Sequence, residues 1–246
     1  MTKGTYTYLI RHSSMVAIML AAVTLAHSPA QAFDMTSRAS LDAAINPNAA
    51  HLNAPAPAVS RADDHEDLFH VSAADVGAGA ESFIGSMATR ALGFLGNTSM
   101  SQEQKKASFR NLLNESFDLE TIGRFVLGRY WKTSTAQQRT EYLSLFRKMV
   151  VEVYAQRFGD YKGQKFETRG YRADGEKDTI VTSYIVPGDG PEVQVDWRVR
   201  YKGGRYQIVD VIVEGVSMSV TQRSDFAAVI QRGGGDMQVL LAHLRG

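Results

Sequence analysis

The chain has 246 residues, a formal charge of +1 and no cysteine. That length suits one large domain or two small ones, and the lack of cysteine excludes disulfides, thiolate metal sites and a cysteine nucleophile. A near-neutral balance with no basic stripe argues against nucleic acid, which calls for clustered Lys and Arg.

Lys3, Arg11 and His12 form a basic start, followed by an apolar run from Met15 to Leu25 (MVAIMLAAVTL). The run is too short to span a bilayer comfortably but has the length of a signal-peptide core. Ala30-Gln31-Ala32 supplies a small-x-small cleavage site. Residues 1–32 therefore read as a signal peptide cleaved after Ala32, and a cysteine-free exported chain fits the periplasm. Residues 33–71 are rich in Ala, Pro, Asn, Ser and Asp, with Pro47, Pro55 and Pro57. So little apolar surface cannot offset the entropy of ordering, and the segment reads as a flexible linker. Asp63-Asp64-His65-Glu66-Asp67 with His70 reads as a solvated charge run rather than a metal cluster.

The folded domain is expected over residues 72–246. Ser72 to Gly96 predicts a helix, with Phe83, Met87, Ala91, Phe94 and Leu95 on one face. A second helix opens at Ser101-Gln102-Glu103-Gln104 and carries Phe109, Leu112, Leu113 and Ser116 on one side. Phe117 to Trp131 (FDLETIGRFVLGRYW) reads as a helix with more large apolar side chains than one face needs, Asp118 capping its start. Ala136 to Phe158 predicts a long helix with a broad apolar stripe.

The texture changes at Gly159. Segments 164–173, 177–187, 192–201 and 205–214 read as strands. In the third, Val193, Val195, Trp197, Val199 and Tyr201 face one way, and Glu192, Gln194, Asp196, Arg198 and Arg200 the other, as in a half-buried antiparallel strand. Lys202-Gly203-Gly204-Arg205 is a hairpin turn. Helices return at 220–231 and 236–245. Helices, a four-strand meander and helices again predict an α+β fold with one curved antiparallel sheet.

Five of the six histidines fall in the leader or linker, leaving His243 in the domain. That removes most histidine acid–base schemes and metal sites. Gly215-Val216-Ser217-Met218-Ser219 is a near-miss of the nucleophile elbow, and its serines read better as caps of the next helix. Asp210 interrupts an apolar strand. It is either a base paired with Tyr154, Tyr184 or Tyr206 in an isomerase-like or dehydratase-like cavity, or a residue of the polar face. No metal or cofactor site is legible.

Four blocks of the sequence are distinctive. FRNLLNESFDLETIGRFVLGRYW (109–131) and QRTEYLSLFRKMVVEVYAQRF (138–158) are the longer two. VQVDWRVR (193–200) and YQIVDVIVEGVSMSVTQRSDFAAVI (206–230) complete the set. Together they resemble the MlaC family, the periplasmic phospholipid shuttles of the bacterial lipid-asymmetry pathway, also called toluene-tolerance proteins. The resemblance runs from about Ser72 to the C-terminus. It implies a nuclear-transport-factor-like fold whose sheet and helices enclose an apolar cavity for phospholipid tails, with no cofactor and no covalent chemistry. The partners it implies are an inner-membrane ABC transporter with an MlaD-like subunit and an outer-membrane MlaA-like lipoprotein complex. Hopanoid-associated relatives share the same blocks, so a hopanoid or other lipid stays open as cargo. With that guide the expected cavity wall comprises Phe117, Phe125, Leu127, Tyr130, Trp131, Phe146, Met149, Val150, Val153 and Tyr154 from helices. From the sheet and its following turn it comprises Val181, Tyr184, Val195, Trp197, Val199, Ile208, Val211, Val213 and Val216. Arg124, Arg129 and Arg147 are expected at the surface, as ion-pair partners or as docking and headgroup contacts.

Overall fold

A computed structural model describes residues 73–246. The leader with its cleavage site, the linker, the charge run at 63–67 and the Ser72 cap lie outside the described residues. Helix α1 (Ala73–Leu95) is followed by α2 (Gln102–Ser116), α3 (Leu119–Leu127), the four-residue α4 (Tyr130–Thr133) and α5 (Ala136–Ala155). Strands β1 (Lys165–Asp174), β2 (Asp178–Val186), β3 (Val193–Lys202), β4 (Arg205–Val213) and β5 (Val216–Ser217) come next, then α6 (Met218–Arg232) and α7 (Met237–Arg245). The sheet is an antiparallel meander in the order β1-β2-β3-β4-β5. The α+β architecture stands, and the expected four strands become five because two residues after the β4 turn pair back onto Ile212 and Val213.

Local chemistry sets the helix ends. Ser101 with Gln104 and Thr135 with Gln138 form reciprocal capping boxes that satisfy the first amides of α2 and α5. Asp118 accepts from the Thr121 amide at 2.9 Å and starts α3. The expected single helix across 117–131 is two. Phe117 is extended at φ −114°, and its neighbour Asp118 donates its amide to the Ile208 carbonyl of β4 at 3.0 Å. Gly128 then breaks the helix at φ 58°, in a region that side chains oppose. The long helix also stops early, at Ala155, and Phe158 enters a 3-10 turn (Phe158–Asp160).

The β3–β4 register explains how Ile208 and Val211 share a face despite their odd spacing. Val199 pairs with Ile208 and Arg198 with Asp210, so Val209 is an extra, bulged residue. The core has three parts. The inner sheet face packs against Ala80, Ile84 and Met87 of α1 and Leu112 of α2. Leu127, Tyr142, Phe146, Phe226, Ile230, Leu240 and Leu241 join α3, α5, α6 and α7. A smaller cluster joins Leu113, Leu119 and Val151.

Candidate ligand cavity

Residues from all three core clusters leave a space of about 240 Å³ between them. One water needs only about 10–15 Å³ of such volume, so this is no packing defect of the kind cores tolerate. From α1 come Met87, Ala88, Ala91, Leu92, Phe94 and Leu95, and from α2 Phe109, Leu112 and Leu113. Leu119, Ile122 and Val126 form one helical face of α3, and Met218, Ser219 and Gln222 one face of α6.

Nine of the nineteen expected wall residues line this space. They are Phe117, then Phe146, Met149, Val150, Val153 and Tyr154, and from the sheet Val195, Trp197 and Val211. Ten do not. Leu127 is 2% exposed inside the α3–α5–α6–α7 cluster, with Tyr130 and Trp131 packed at that cluster's edge. Phe125 points outward and is 42% exposed, standing about 100° around α3 from Val126. Val181, Val199, Ile208 and Val213 lie on the inner sheet face, but the α1 cluster closes over them. Tyr184 is on the opposite face of β2, 4.0 Å beneath the Arg169 guanidinium. Val216 is half-buried in β5.

The polar atoms of the wall gather at two ends. At one, Tyr161, Gln164 and Lys165 line the cavity. Of the lining residues Lys165 is the one exposed to solvent. Gln164 is tied down by the Lys162 amide at 2.9 Å and donates to the Asp160 carbonyl at 3.4 Å. At the other end Asp210, Ser219 and Gln222 close the wall. Between them Trp197 turns its indole N–H away to the Ser183 hydroxyl at 2.9 Å, which donates to the Val195 carbonyl at 2.9 Å. The ring face offered to the cavity is apolar.

Asp210 is only 3% exposed. Its Oδ1 accepts from the Val211 amide (2.9 Å), the Ser219 amide (3.2 Å) and the Ser219 hydroxyl (2.7 Å). Its Oδ2 accepts from the Ser217 hydroxyl (2.6 Å) and, at 3.5 Å, from Arg198. A carboxylate has about four lone-pair positions, so this one is saturated and offers no free basic oxygen. Of its three suggested partners only Tyr154 reaches the cavity. Burial pushes that phenol up to about 12, so it holds its proton at neutral pH. Ser217 caps α6 by accepting from the Val220 amide at 3.1 Å, as a cap reading requires, and His243 is exposed on α7. Among the described residues no group of His, Cys, Asp and Glu is arranged to hold a metal ion.

Sequence reasoning missed Leu119, Ile122 and Val126, although their i, i+3, i+7 spacing was a readable signal. It named the α1 stripe without assigning it to a site.

Residues 86–246 match the MlaC protein family model. The intermembrane phospholipid transport system binding protein MlaC of Haemophilus influenzae is 28% identical over 131 residues, 52% of this chain and 61% of that protein. The chain thus spans less than two thirds of that relative's length. The toluene tolerance protein ttg2D of Pseudomonas putida is 22% identical over 151 residues, 58% of this chain and 70% of that protein. A solved phospholipid-binding protein from Ralstonia solanacearum, in complex with a phospholipid, superposes with a TM-score of 0.59. It shares 21% identity and covers 68% of this chain and 94% of its own, which is a likeness of fold.

Proposed function

The chain belongs to the MlaC family, and from that premise we propose that it is a periplasmic carrier holding phospholipid acyl chains in the cavity. The observation that carries this reading is an apolar space walled by all three core clusters, with the exposed Lys165 in its lining. Each CH₂ taken out of water gains ~0.8 kcal/mol, so an acyl chain of about fifteen carbons gains on the order of 12 kcal/mol. Such a wall needs apolar side chains and no reactive group, and the saturated Asp210 fits that requirement. In this reading the nine expected wall residues, with Ile122, Val126 and the α1 stripe, contact the tails. The headgroup stays at the Lys165 end, where an ammonium suits a phosphate better than the uncharged ring system of a hopanoid.

The proposed partners are those of a shuttle, an inner-membrane ABC transporter with an MlaD-like subunit and an outer-membrane MlaA-like lipoprotein complex. The leader, cleaved after Ala32, would deliver the protein to the space between them. Native mass spectrometry of the purified protein should show co-purified phospholipid. A preparation free of lipid, and unable to extract any from vesicles, would sink the carrier reading.

A further inference from the structure

The rings and arginines of the 117–131 block that the cavity leaves out form a continuous surface of their own. Phe125 and Val220, 42% and 51% exposed, are among the few large apolar side chains the domain shows to solvent. The Arg223 guanidinium of α6 lies 5.2 Å from the Phe125 ring of α3. It reaches there because Gly128 has no side chain, since a Cβ at that position would stand 2.8 Å from Arg223 Nε. Arg124, next to Phe125, lies 5.2 Å from the Trp131 ring, and Arg139 of α5 lies 5.3 Å from the same ring. Arg129 lies 5.0 Å from the Tyr130 ring and donates to its hydroxyl at 2.9 Å. Lys132 is exposed beside them.

None of these five cations is in an ion pair among the described residues. The acids nearest in sequence, Glu120, Glu141 and Asp225, are paired with none of them, Glu141 being held by Arg245. Several arginines elsewhere on the domain are matched. Arg169 pairs with Glu192 and Glu167, Arg198 with Asp174, Arg200 with Asp178, and Arg245 with Glu141. Five cations without an ion pair therefore share this face with its rings, Arg139 also donating to the Trp131 carbonyl at 2.8 Å and the Lys132 carbonyl at 3.3 Å.

We propose that this face, built from α3, α4, the start of α5 and the first turns of α6, docks the protein onto an anionic lipid bilayer. Three features fit that occupant. Arginine forks bind phosphate oxygens in pairs. Tyr and Trp rings sit at headgroup depth, apolar on one side and wet on the other. Exposed Phe and Val side chains add the apolar insertion that charge alone lacks. A protein partner would favour a charge-poor centre with a polar rim, whereas here nearly every ring carries its own guanidinium. The face also backs directly onto the cavity, because Val126 of α3 and Met218 and Gln222 of α6 line it from inside. Docking on this surface does not depend on what fills the cavity.

The test is vesicle flotation of the protein in the form that cells accumulate. Phosphatidylcholine vesicles are compared with phosphatidylcholine–phosphatidylglycerol vesicles, at low and high salt. Expected is binding to the anionic vesicles alone, lost in high salt. The double variant Arg124→Gln/Arg223→Gln should weaken it on the order of thirtyfold. Phe125→Ser should weaken it with only a small drop in Tm, because much of the ring is exposed. Lipid content measured on the same variants should be unchanged, which separates this surface from the carrier reading. Equal binding to both vesicle types, or wild-type binding by both variants, overturns the proposal. Capture on immobilised polyglutamate without any vesicle binding overturns it in favour of an acidic protein partner.

Discussion

Leu127 and Val150 separate a closed core from an open cavity. Leu127 is 2% exposed and packed among Tyr142, Phe226 and their neighbours. Leu127→Ala should cost about 3 kcal/mol, from lost transfer energy plus the hole left behind. For a domain of this size each kcal/mol moves Tm by about 2–4 °C, so the expected drop is roughly 6–12 °C. The protein that remains folded should keep its lipid. Val150 lines the cavity. The added ring of Val150→Trp enters open space, so the overpacking cost of about 1–3 kcal/mol is largely avoided. Its Tm should stay within about 3 °C of wild type, while co-purified lipid falls sharply. Thermal unfolding by circular dichroism and mass spectrometry of extracted lipid, on the same samples, decide the matter. A Val150→Trp protein that unfolds, or a Leu127→Ala protein that keeps its Tm but loses lipid, would refute the assignment of these two side chains.

Asp210→Asn replaces a saturated buried carboxylate and should cost about 3 kcal/mol in urea denaturation; the carrier reading expects no catalytic turnover to disappear with it. Lys165→Glu should reduce retention of phosphate-bearing lipid while sparing diacylglycerol, and equal loss of both would remove the headgroup role of Lys165. The hydrogen bond from Lys106 at 2.7 Å holds the Glu152 carboxyl below its ordinary value. A depressed carboxylate stabilises at neutral pH, and that contribution disappears as pH falls through the depressed folded value. The Tm gap between wild type and Glu152→Gln should therefore close on acidification, and a gap independent of pH would show the pair to be inert.

Much of the fold was legible because its signals are local. The helix start at Ser101, alternation in 193–201 and the Gly203-Gly204 turn each act over a few residues. The β5 pairing was not, because two residues carry no periodicity. The site was half legible for a related reason. Helical spacing says that Leu119, Ile122 and Val126 share a face, and it puts Phe125, three residues on from Ile122, at that face's edge. It does not say whether a buried face meets a neighbour or a void. On the sheet, Val195, Val199, Ile208 and Val213 share one phase and one core cluster, but of the four only Val195 borders the cavity. That division is set by helices far away in sequence. The surplus apolar content of 117–131 likewise splits three ways: Phe117, Ile122 and Val126 face the cavity, Leu127 the closed core, and Phe125 the solvent. Phe117 stands in extended backbone before α3 and the other four share that one helix, so what separates them is the neighbour each meets.

Two glycines of α1 set how that helix sits on the sheet. A Cβ at Gly77 would collide with the Tyr171 ring, and one at Gly79 with the Tyr206 hydroxyl. Tyr171 also donates to the Ala74 carbonyl at 3.3 Å, and Glu81 accepts from the Gly170 amide at 3.0 Å. The opening turns of α1 are thus keyed to β1 and β4 like teeth in notches, which blocks sliding along its axis. Its far end, from Met87 to Leu95, carries the cavity lining and is held at the last turn by Lys105 on the Leu95 carbonyl at 2.8 Å. A helix keyed to the sheet at one end and tied to α2 at the other, by Lys105 and by Arg90 on Glu115 at 2.6 Å, is a lever with a stop. Girth for bulkier cargo would come from shifts of its 87–95 end about the Gly77–Gly79 fulcrum, and amide exchange on loading should change most near Leu95 and least near Ala80.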